Sequence, residues 1–180
     1  MSRWVAGLVA ALAIAAAVAG CQLTRVEEPA GLPPGAPEAM GSRPTGPIVV
    51  IGNGQSQGVA WRYSVYPSAD GLCTQLETGT GASAGCGMLP DGDAVIDGLS
   101  SGVDANGATI VNGLVGDRVA EVVLLLAGGA REPVVLMSLE GAALEGQAYV
   151  GFAPPGTRVQ AIVALDDAGT VLGQLEVSLP

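Results

Sequence analysis

The 180-residue chain contains no histidine and no lysine, and these two absences exclude several kinds of chemistry. Without histidine, no imidazole can serve as general base beside a nucleophilic serine. Without lysine, neither a serine–lysine pair nor a phosphate-binding P-loop can form. Aromatic residues make up only 3% of the chain, so few rings can stack on sugars or bases. The composition therefore argues against a serine hydrolase and against a nucleotide-binding enzyme.

Positive charge is also scarce, because the seven basic residues are outnumbered by 17 acidic ones and the net charge is −10. A chain this acidic repels phosphate backbones, so we expect no nucleic-acid partner. The sequence also gives no reason to expect a cofactor.

Two segments, 54–58 and 81–85, match the Gly-x-Ser-x-Gly pattern of a hydrolase nucleophile. That nucleophile sits between a strand and a helix and needs a histidine partner. The first segment precedes a predicted strand and the second precedes Cys86. Chance matches are expected in a chain with 28 glycines. We therefore predict no catalytic residue.

The N-terminus has the three parts of a secretory signal. Arg3 precedes an uncharged apolar run over residues 4–18, and small residues follow. The run is shorter than the roughly 20 residues that a membrane-spanning helix needs. Cleavage after residues 17–19 (Ala-Val-Ala) would leave Gly20 first and Cys21 as a thiol. Residues 18–21 (Val-Ala-Gly-Cys) instead resemble the lipobox of bacterial lipoproteins, in which cleavage falls between Gly20 and Cys21.

The lipoprotein resemblance implies a diacylglyceryl group on the Cys21 sulfur, carrying fatty acyl chains such as palmitate. The chain would then be held on the extracytoplasmic face of the cell membrane by that lipid. Three cysteines are present. If Cys21 carries lipid, Cys73 and Cys86 can pair with each other in an oxidising compartment, and we predict this disulfide. Two cysteines without histidine are too few soft ligands for a metal site.

The chain divides into a signal peptide (1–20), a linker (21–47) and one folded domain (48–180). The linker begins with Cys21 and is rich in proline and glycine, which predicts a disordered tether. The remainder reads as short apolar segments separated by Gly, Pro and Asp turns, which is typical of an all-β protein. The predicted strands are 48–51, 59–66, 72–76, 108–115, 118–126, 134–139, 147–153, 158–165 and 170–179.

We predict that these strands form one antiparallel β-sandwich. The pattern resembles the immunoglobulin-like sandwiches found on bacterial surfaces, although Trp61 precedes both cysteines instead of lying between them. A Cys73–Cys86 bond would therefore not be the inter-sheet bond of that family. The clearest pair is the last hairpin, in which Val159, Ala161, Val163 and Leu165 alternate onto one face. Its turn contains residues 166–169 (Asp-Asp-Ala-Gly).

One acidic stretch lies between Tyr63 and Asp117, where no basic residue occurs. Asp91-Gly92-Asp93 begins like a calcium loop, but Val95 stands where an oxygen ligand belongs and no glutamate closes the loop. We expect a solvated acidic loop, with weak calcium binding as the alternative. Trp61 is expected to pack in the core and not to line a sugar-binding cleft. The acidic residues of this stretch are Asp70, Glu77, Asp91, Asp93, Asp97 and Asp104.

Three functions remain open. The first is an interaction module that meets an envelope protein through loops at 78–106 or 127–132, since loops on a rigid β-sandwich often carry recognition. The second is a structural or accessory envelope domain without a discrete ligand. The third, which we rank last, is a hydrolase that uses carboxylates alone.

Overall fold

The computed structural model describes Leu32, Gly35 and residues 37–87, 95–103 and 105–177. Cys21, Gly20, Asp91, Asp93 and Asp104 lie outside these residues. The described part contains twelve strands, one 3₁₀ turn at Glu140–Ala142 and no α-helix, so the predicted all-β fold is confirmed. The strands are β1 (Val49–Ser56), β2 (Val59–Ser68), β3 (Gly71–Thr78), β4 (Gly81–Gly87), β5 (Ile96–Val103), β6 (Thr109–Val115), β7 (Glu121–Leu126), β8 (Arg131–Pro133), β9 (Val135–Ser138), β10 (Gln147–Ala153), β11 (Val159–Leu165) and β12 (Val171–Glu176).

The strands form three four-stranded sheets whose neighbours are all antiparallel. The first sheet has the order β1-β2-β3-β4, the middle sheet β5-β6-β10-β9 and the outer sheet β12-β11-β7-β8. Together the middle and outer sheets have the strand order of an immunoglobulin sandwich, A-B-E-D facing G-F-C-C′. The predicted immunoglobulin-like topology is therefore found in β5–β12, and the first sheet is an added meander.

The middle sheet is covered on both faces. On one side it packs against β2 and β3 through Trp61, Tyr63 and Leu76, which meet Ile110 and Phe152 in one apolar cluster. On the other side, a second cluster joins it to the outer sheet. Strand β6 is accordingly buried along its whole length, as expected for a strand between two layers. The second cluster includes Val111, Val115, Tyr149, Leu124, Ile162 and Val159.

The middle and outer sheets are continuous at one corner. Strand β8 belongs to the outer sheet and β9 to the middle sheet, and only Val134 separates them. The Val134 amide donates to the Val122 carbonyl at 3.1 Å, which holds the corner against β7. Nearby, the layers approach so closely that a Cβ on Gly151 would lie 2.6 Å from Cγ1 of Val134. Glycine at this position therefore permits the sheet contact.

The predicted hairpin at the end of the chain is present as β11 and β12. Asp166 accepts hydrogen bonds through Oδ1 from the amides of Ala168 (2.9 Å) and Thr170 (2.7 Å), and Gly169 supplies a φ of +76°. These bonds and the positive φ close the turn as the sequence predicted.

The faces of β11 differ from the predicted alternation. The pairing with β7 shifts register between Val159 and Ala161, so one residue of β11 is extra at that point. Val159 consequently packs in the sandwich core, whereas Val163 and Leu165 form a separate small cluster on the opposite face. A β-bulge reverses the side on which all later residues of the strand lie.

Candidate interaction surface

A cleft of about 240 Å³ lies between the first sheet and the free edge of the immunoglobulin-like sandwich. One wall is the β3–β4 hairpin, including Thr78, Thr80 and Ser83, and the opposite wall is β5. Leu76, Val103 and Ile110 supply the large apolar side chains of its lining. None of the lining residues that the structure describes carries a charge, although the chain has 17 acidic side chains.

Hydroxyl and amide groups give this cleft its polar character. Ser100, Ser101 and Asn112 face it from the sandwich. Asn112 lines the cleft and is only 5% exposed. Its side-chain amide offers donors and an acceptor at the base of the cleft.

The hairpin wall follows from its local sequence. Gly79 and Thr80 form a two-residue turn between the paired residues Thr78 and Gly81. Thr78 Oγ1 donates to the Gly81 carbonyl at 3.1 Å, which braces that turn. The interaction region predicted as a loop over 78–106 thus contains strands β4 and β5, which pair with β3 and β6. The segment 127–132 contains the β7–β8 turn, and Gly128 and Gly129 adopt φ of +94° and +85° there.

Cys73 and Cys86 are joined by a disulfide between the neighbouring strands β3 and β4, with their Cα atoms 3.9 Å apart. The predicted pair is therefore found at bonding distance. The bond lies within the first sheet and does not connect the two sheets of the sandwich, which agrees with the expected departure from the immunoglobulin pattern. It fixes the register of β4, the strand that forms the hairpin wall of the cleft.

The outer face of the first sheet buries a polar cluster. Arg62 on β2 is ion-paired with Glu77 on β3, with 2.5 Å between Nε and Oε2. Gln75 donates from Nε2 to the other carboxylate oxygen at 3.2 Å. Relative exposures of 3% for Arg62 and 8% for Glu77 show that this pair is largely withdrawn from water. Its hydrogen bonds offset part of the desolvation cost.

The strap, residues 37–46, covers this polar cluster and falls within the predicted linker. Gln75 donates to the Glu38 carbonyl and accepts from the Met40 amide, both at 2.9 Å. The Thr45 amide bonds to the Pro67 carbonyl at 2.9 Å. The strap is therefore attached to the sheet by hydrogen bonds to its backbone. Just before it, the Gly35 carbonyl accepts from Nη1 of Arg62 at 2.7 Å.

A second pocket, of about 330 Å³, lies where the strap leads into β1. It is mostly apolar and is lined by Val49, Val65 and Leu72 from the first sheet and by Leu144 beside the 3₁₀ turn. None of its described lining residues is charged. The pocket is a gap between the first sheet and the loop that follows β9.

Tyr63 is the titratable side chain most affected by its surroundings. It is fully buried between the first and middle sheets. Burial raises its pKa to about 12, and the hydroxyl of Thr74 partly opposes this effect. The phenol therefore remains protonated wherever the protein is folded near neutral pH.

The acidic residues of the calcium hypothesis do not converge within the described part of the chain. Asp70 is exposed in the β2–β3 turn and accepts from Ser42, whereas Glu77 is engaged with Arg62. Among the described residues, no three cysteine or acidic side chains are grouped so that they could hold a metal ion. Asp91, Asp93 and Asp104 lie outside those residues, so the calcium loop itself is not tested.

The two Gly-x-Ser-x-Gly segments lie on β-structure. Ser56 ends β1, and Gln57 and Gly58 form the turn into β2 with φ of +49° and +76°. Ser83 lies within β4, paired with Leu76. Neither serine stands between a strand and a helix, so neither has the geometry of a hydrolase nucleophile.

Trp61 is buried as predicted, with 4% of its surface exposed. Its ring centroid lies 6.2 Å from that of Phe152 on the middle sheet, at an interplanar angle of 34°. A Cβ on Gly54 would lie 3.0 Å from the indole, so the glycine lets β1 pass over the ring. Trp61 therefore contributes to packing between sheets.

No helix in the described part of the chain is long and apolar enough to cross a membrane. Comparisons with protein-family models, with curated proteins and with solved structures found no match to this chain.

Proposed function

We propose that this chain is a lipid-anchored lipoprotein on the extracytoplasmic face of the cell membrane and that it binds an envelope protein through its cleft. The anchor is a diacylglyceryl group on the Cys21 sulfur, with the signal peptide removed between Gly20 and Cys21. The observation that carries the binding proposal is a cleft whose described lining combines hydroxyls, the Asn112 amide and apolar side chains without a charge. A partner that brings neutral polar groups would exchange hydrogen bonds with this lining.

Surface chemistry supports a protein segment as the occupant. The net charge of −10 opposes nucleic acids and anionic ligands. The described lining of the cleft has no charge and combines Leu76 and Ile110 with several hydroxyls, so apolar and hydrogen-bonding groups lie side by side. Polypeptide chains present this mixture, with peptide groups that can exchange hydrogen bonds with serine, threonine and asparagine.

Binding is tested by co-purifying the full chain, with its disulfide intact, from solubilised membranes of its own source, with and without calcium. We expect one partner to be captured saturably by wild type and lost with Asn112→Leu, which keeps the branched shape and the number of heavy atoms of the side chain and removes the amide. Ser138→Leu, an exposed change on β9 outside the cleft, should retain the partner.

Each result distinguishes among the alternatives. Equal capture by wild type and Asn112→Leu would exclude the cleft as the binding site. No saturable capture by wild type would favour a structural or accessory role. Binding that requires calcium would assign a role to the acidic stretch around Asp91.

The lipid anchor is tested separately with Cys21→Ser, which removes the sulfur that would carry the lipid. We expect the variant to leave the membrane fraction while the wild type stays in it. A variant that remained membrane-bound would contradict the lipoprotein assignment and leave the binding proposal untouched.

A further inference from the structure

The edge strand β4 lacks the features that protect the other sheet edges. Three of the other edge strands, β1, β5 and β12, pair with their neighbours through a register shift. The remaining two, β8 and β9, are only three and four residues long. Bulges and short lengths are the usual means by which sheets prevent further strands from adding to their edges.

Strand β4 is seven residues long and pairs with β3 without any shift of register. Its sequence, Gly-Ala-Ser-Ala-Gly-Cys-Gly, contains no proline, no charge and no large side chain, and most of its residues are exposed. The disulfide between Cys73 and Cys86 holds it against β3. An edge that is regular, neutral and covalently fixed is open to strand addition.

The pairing shows which backbone groups face outward. A two-residue turn makes Thr78 and Gly81 a hydrogen-bonded pair, so Ala82 and Ala84 occupy non-hydrogen-bonded positions relative to β3. The Cα separation of 3.9 Å between Cys73 and Cys86 fits the same alternation. The amides and carbonyls of Ala82 and Ala84 therefore point away from β3, and no described residue bonds to them.

We propose that β4 pairs with β4 of a second copy of this chain in an antiparallel, twofold-symmetric dimer. Residues 81–85 read Gly-Ala-Ser-Ala-Gly in both directions. With the axis at Ser83, each Ala82 faces Ala84 of the other copy, and Ser83 faces Ser83. An isologous interface requires such self-complementarity.

Charge at the β4–β4 contact does not oppose pairing with a second copy. Like charges directly opposite each other destabilise a sheet pair, and the chain has 17 acidic residues against seven basic ones. Paired β4 strands bring no charge together. Because Ser83 also lines the cleft, the dimer would place the clefts of the two copies on either side of the twofold axis. The proposal does not depend on which partner the cleft binds.

The pairing is tested by disulfide cross-linking of the full chain in its own membrane with Ser83→Cys. Opposed non-hydrogen-bonded residues lie about 4.5 Å apart between Cα atoms, within the range that a disulfide spans. We expect a doubling of apparent mass on a non-reducing gel, reversed by reductant. Wild type controls for any bond through Cys21, and Ala168→Cys, in the exposed β11–β12 turn, controls for random collision.

A second variant checks that backbone pairing is responsible. Ala84→Pro removes an outward-facing amide and no hydrogen bond to β3, so Ser83→Cys combined with Ala84→Pro should lose the cross-link while the Cys73–Cys86 bond still forms. If Ser83→Cys remains monomeric, or cross-links no more than Ala168→Cys, the proposal is wrong. Cross-linking that survives Ala84→Pro in a chain with its native disulfide would also overturn it.

Discussion

The first sheet and the immunoglobulin-like sandwich are stabilised in different ways. The sandwich encloses an apolar core between two sheets, with residues such as Leu124 and Ile162 fully buried. The first sheet has one apolar face on the sandwich, and its other face buries Arg62, Gln75 and Glu77 beneath the strap. It also contains the disulfide.

This difference shows what a lone sheet needs when no second sheet covers it. Burial of apolar area is the main stabilising term in a sandwich, whereas a single four-stranded meander has only one face to bury in this way. On the side of the first sheet that faces away from the sandwich, charge pairing, side-chain hydrogen bonds and a covalent cross-link provide the stabilisation that a second apolar face would give. We therefore expect the two regions to respond differently to substitution.

The largest effect should come from the sandwich core. Leu124→Ala removes a fully buried side chain that touches the middle sheet at Gly151. The resulting cavity should lower the free energy of unfolding by about 3–5 kcal/mol. Urea unfolding measures this, with half-buried Leu125→Ala as the matched control. Equal losses in the two variants would contradict a core located between the middle and outer sheets.

In the first sheet, the corresponding change is Glu77→Ala, which removes the carboxylate facing the buried Arg62 guanidinium. We expect a loss of about 3 kcal/mol in the free energy of unfolding, since the buried guanidinium loses a carboxylate that neutralises it. Glu121→Ala, at the exposed start of β7, should change it by less than about 0.5 kcal/mol. A loss for Glu77→Ala as small as that for Glu121→Ala would show that the polar cluster does not stabilise the first sheet.

Removal of the disulfide sharpens the contrast between the regions. The double variant Cys73→Ala, Cys86→Ala should have a free energy of unfolding about 2–3 kcal/mol lower than wild type, because the bond closes a short loop. Hydrogen exchange should become faster in β3 and β4 and change little in β11, which the bond does not touch. Uniformly faster exchange would show instead that the first sheet and the sandwich unfold as one unit.

The smallest effect concerns pH. The pKa of Tyr63 is raised to about 12 in the folded protein, against an ordinary value near 10. The contribution of the Tyr63 proton to the free energy of unfolding is complete below pH 10. It is lost as the pH rises toward 12, because the unfolded state releases the proton first. Unfolding free energies at pH 8 and 11.5 should differ by about 2 kcal/mol more in wild type than in Tyr63→Phe. If the free energies of unfolding of wild type and Tyr63→Phe changed equally with pH, Tyr63 would not be the cause of this pH dependence.

Strands with strong local signals were predictable. The segment 147–153 is predicted as a strand and observed as β10 with the same bounds, because Gly146 and Pro154 border an apolar segment. Strand β4 was missed, since Gly81–Gly87 has no β-branched or aromatic residue. Its strand conformation depends on the turn and on pairing with β3, which composition does not show.

The cleft and the strap could not be predicted, because both depend on contacts between distant residues. Periodicity indicates that a face is buried but not which sheet covers it, so the third layer was not foreseen. The proline-rich composition before residue 47 suggested a tether, yet its attachment relies on Gln75, 35 positions from Met40. Nothing near Asn112 in the sequence shows that it lines a cleft between two sheets.

The bond between Gly35 and Arg62 sets how far the folded domain can range from a lipid on Cys21, if the anchor proposed above is present. Gly35 lies 14 positions after Cys21, and Ile48 lies 27 positions after it. At about 3.6 Å per residue, the fully extended linker from Cys21 spans at most about 50 Å if it ends at Gly35, compared with nearly 100 Å if it ends at Ile48. Effective concentration falls roughly as the −3/2 power of linker length, so nearly halving the linker raises the effective concentration of the domain for partners fixed in the same membrane about 2.7-fold.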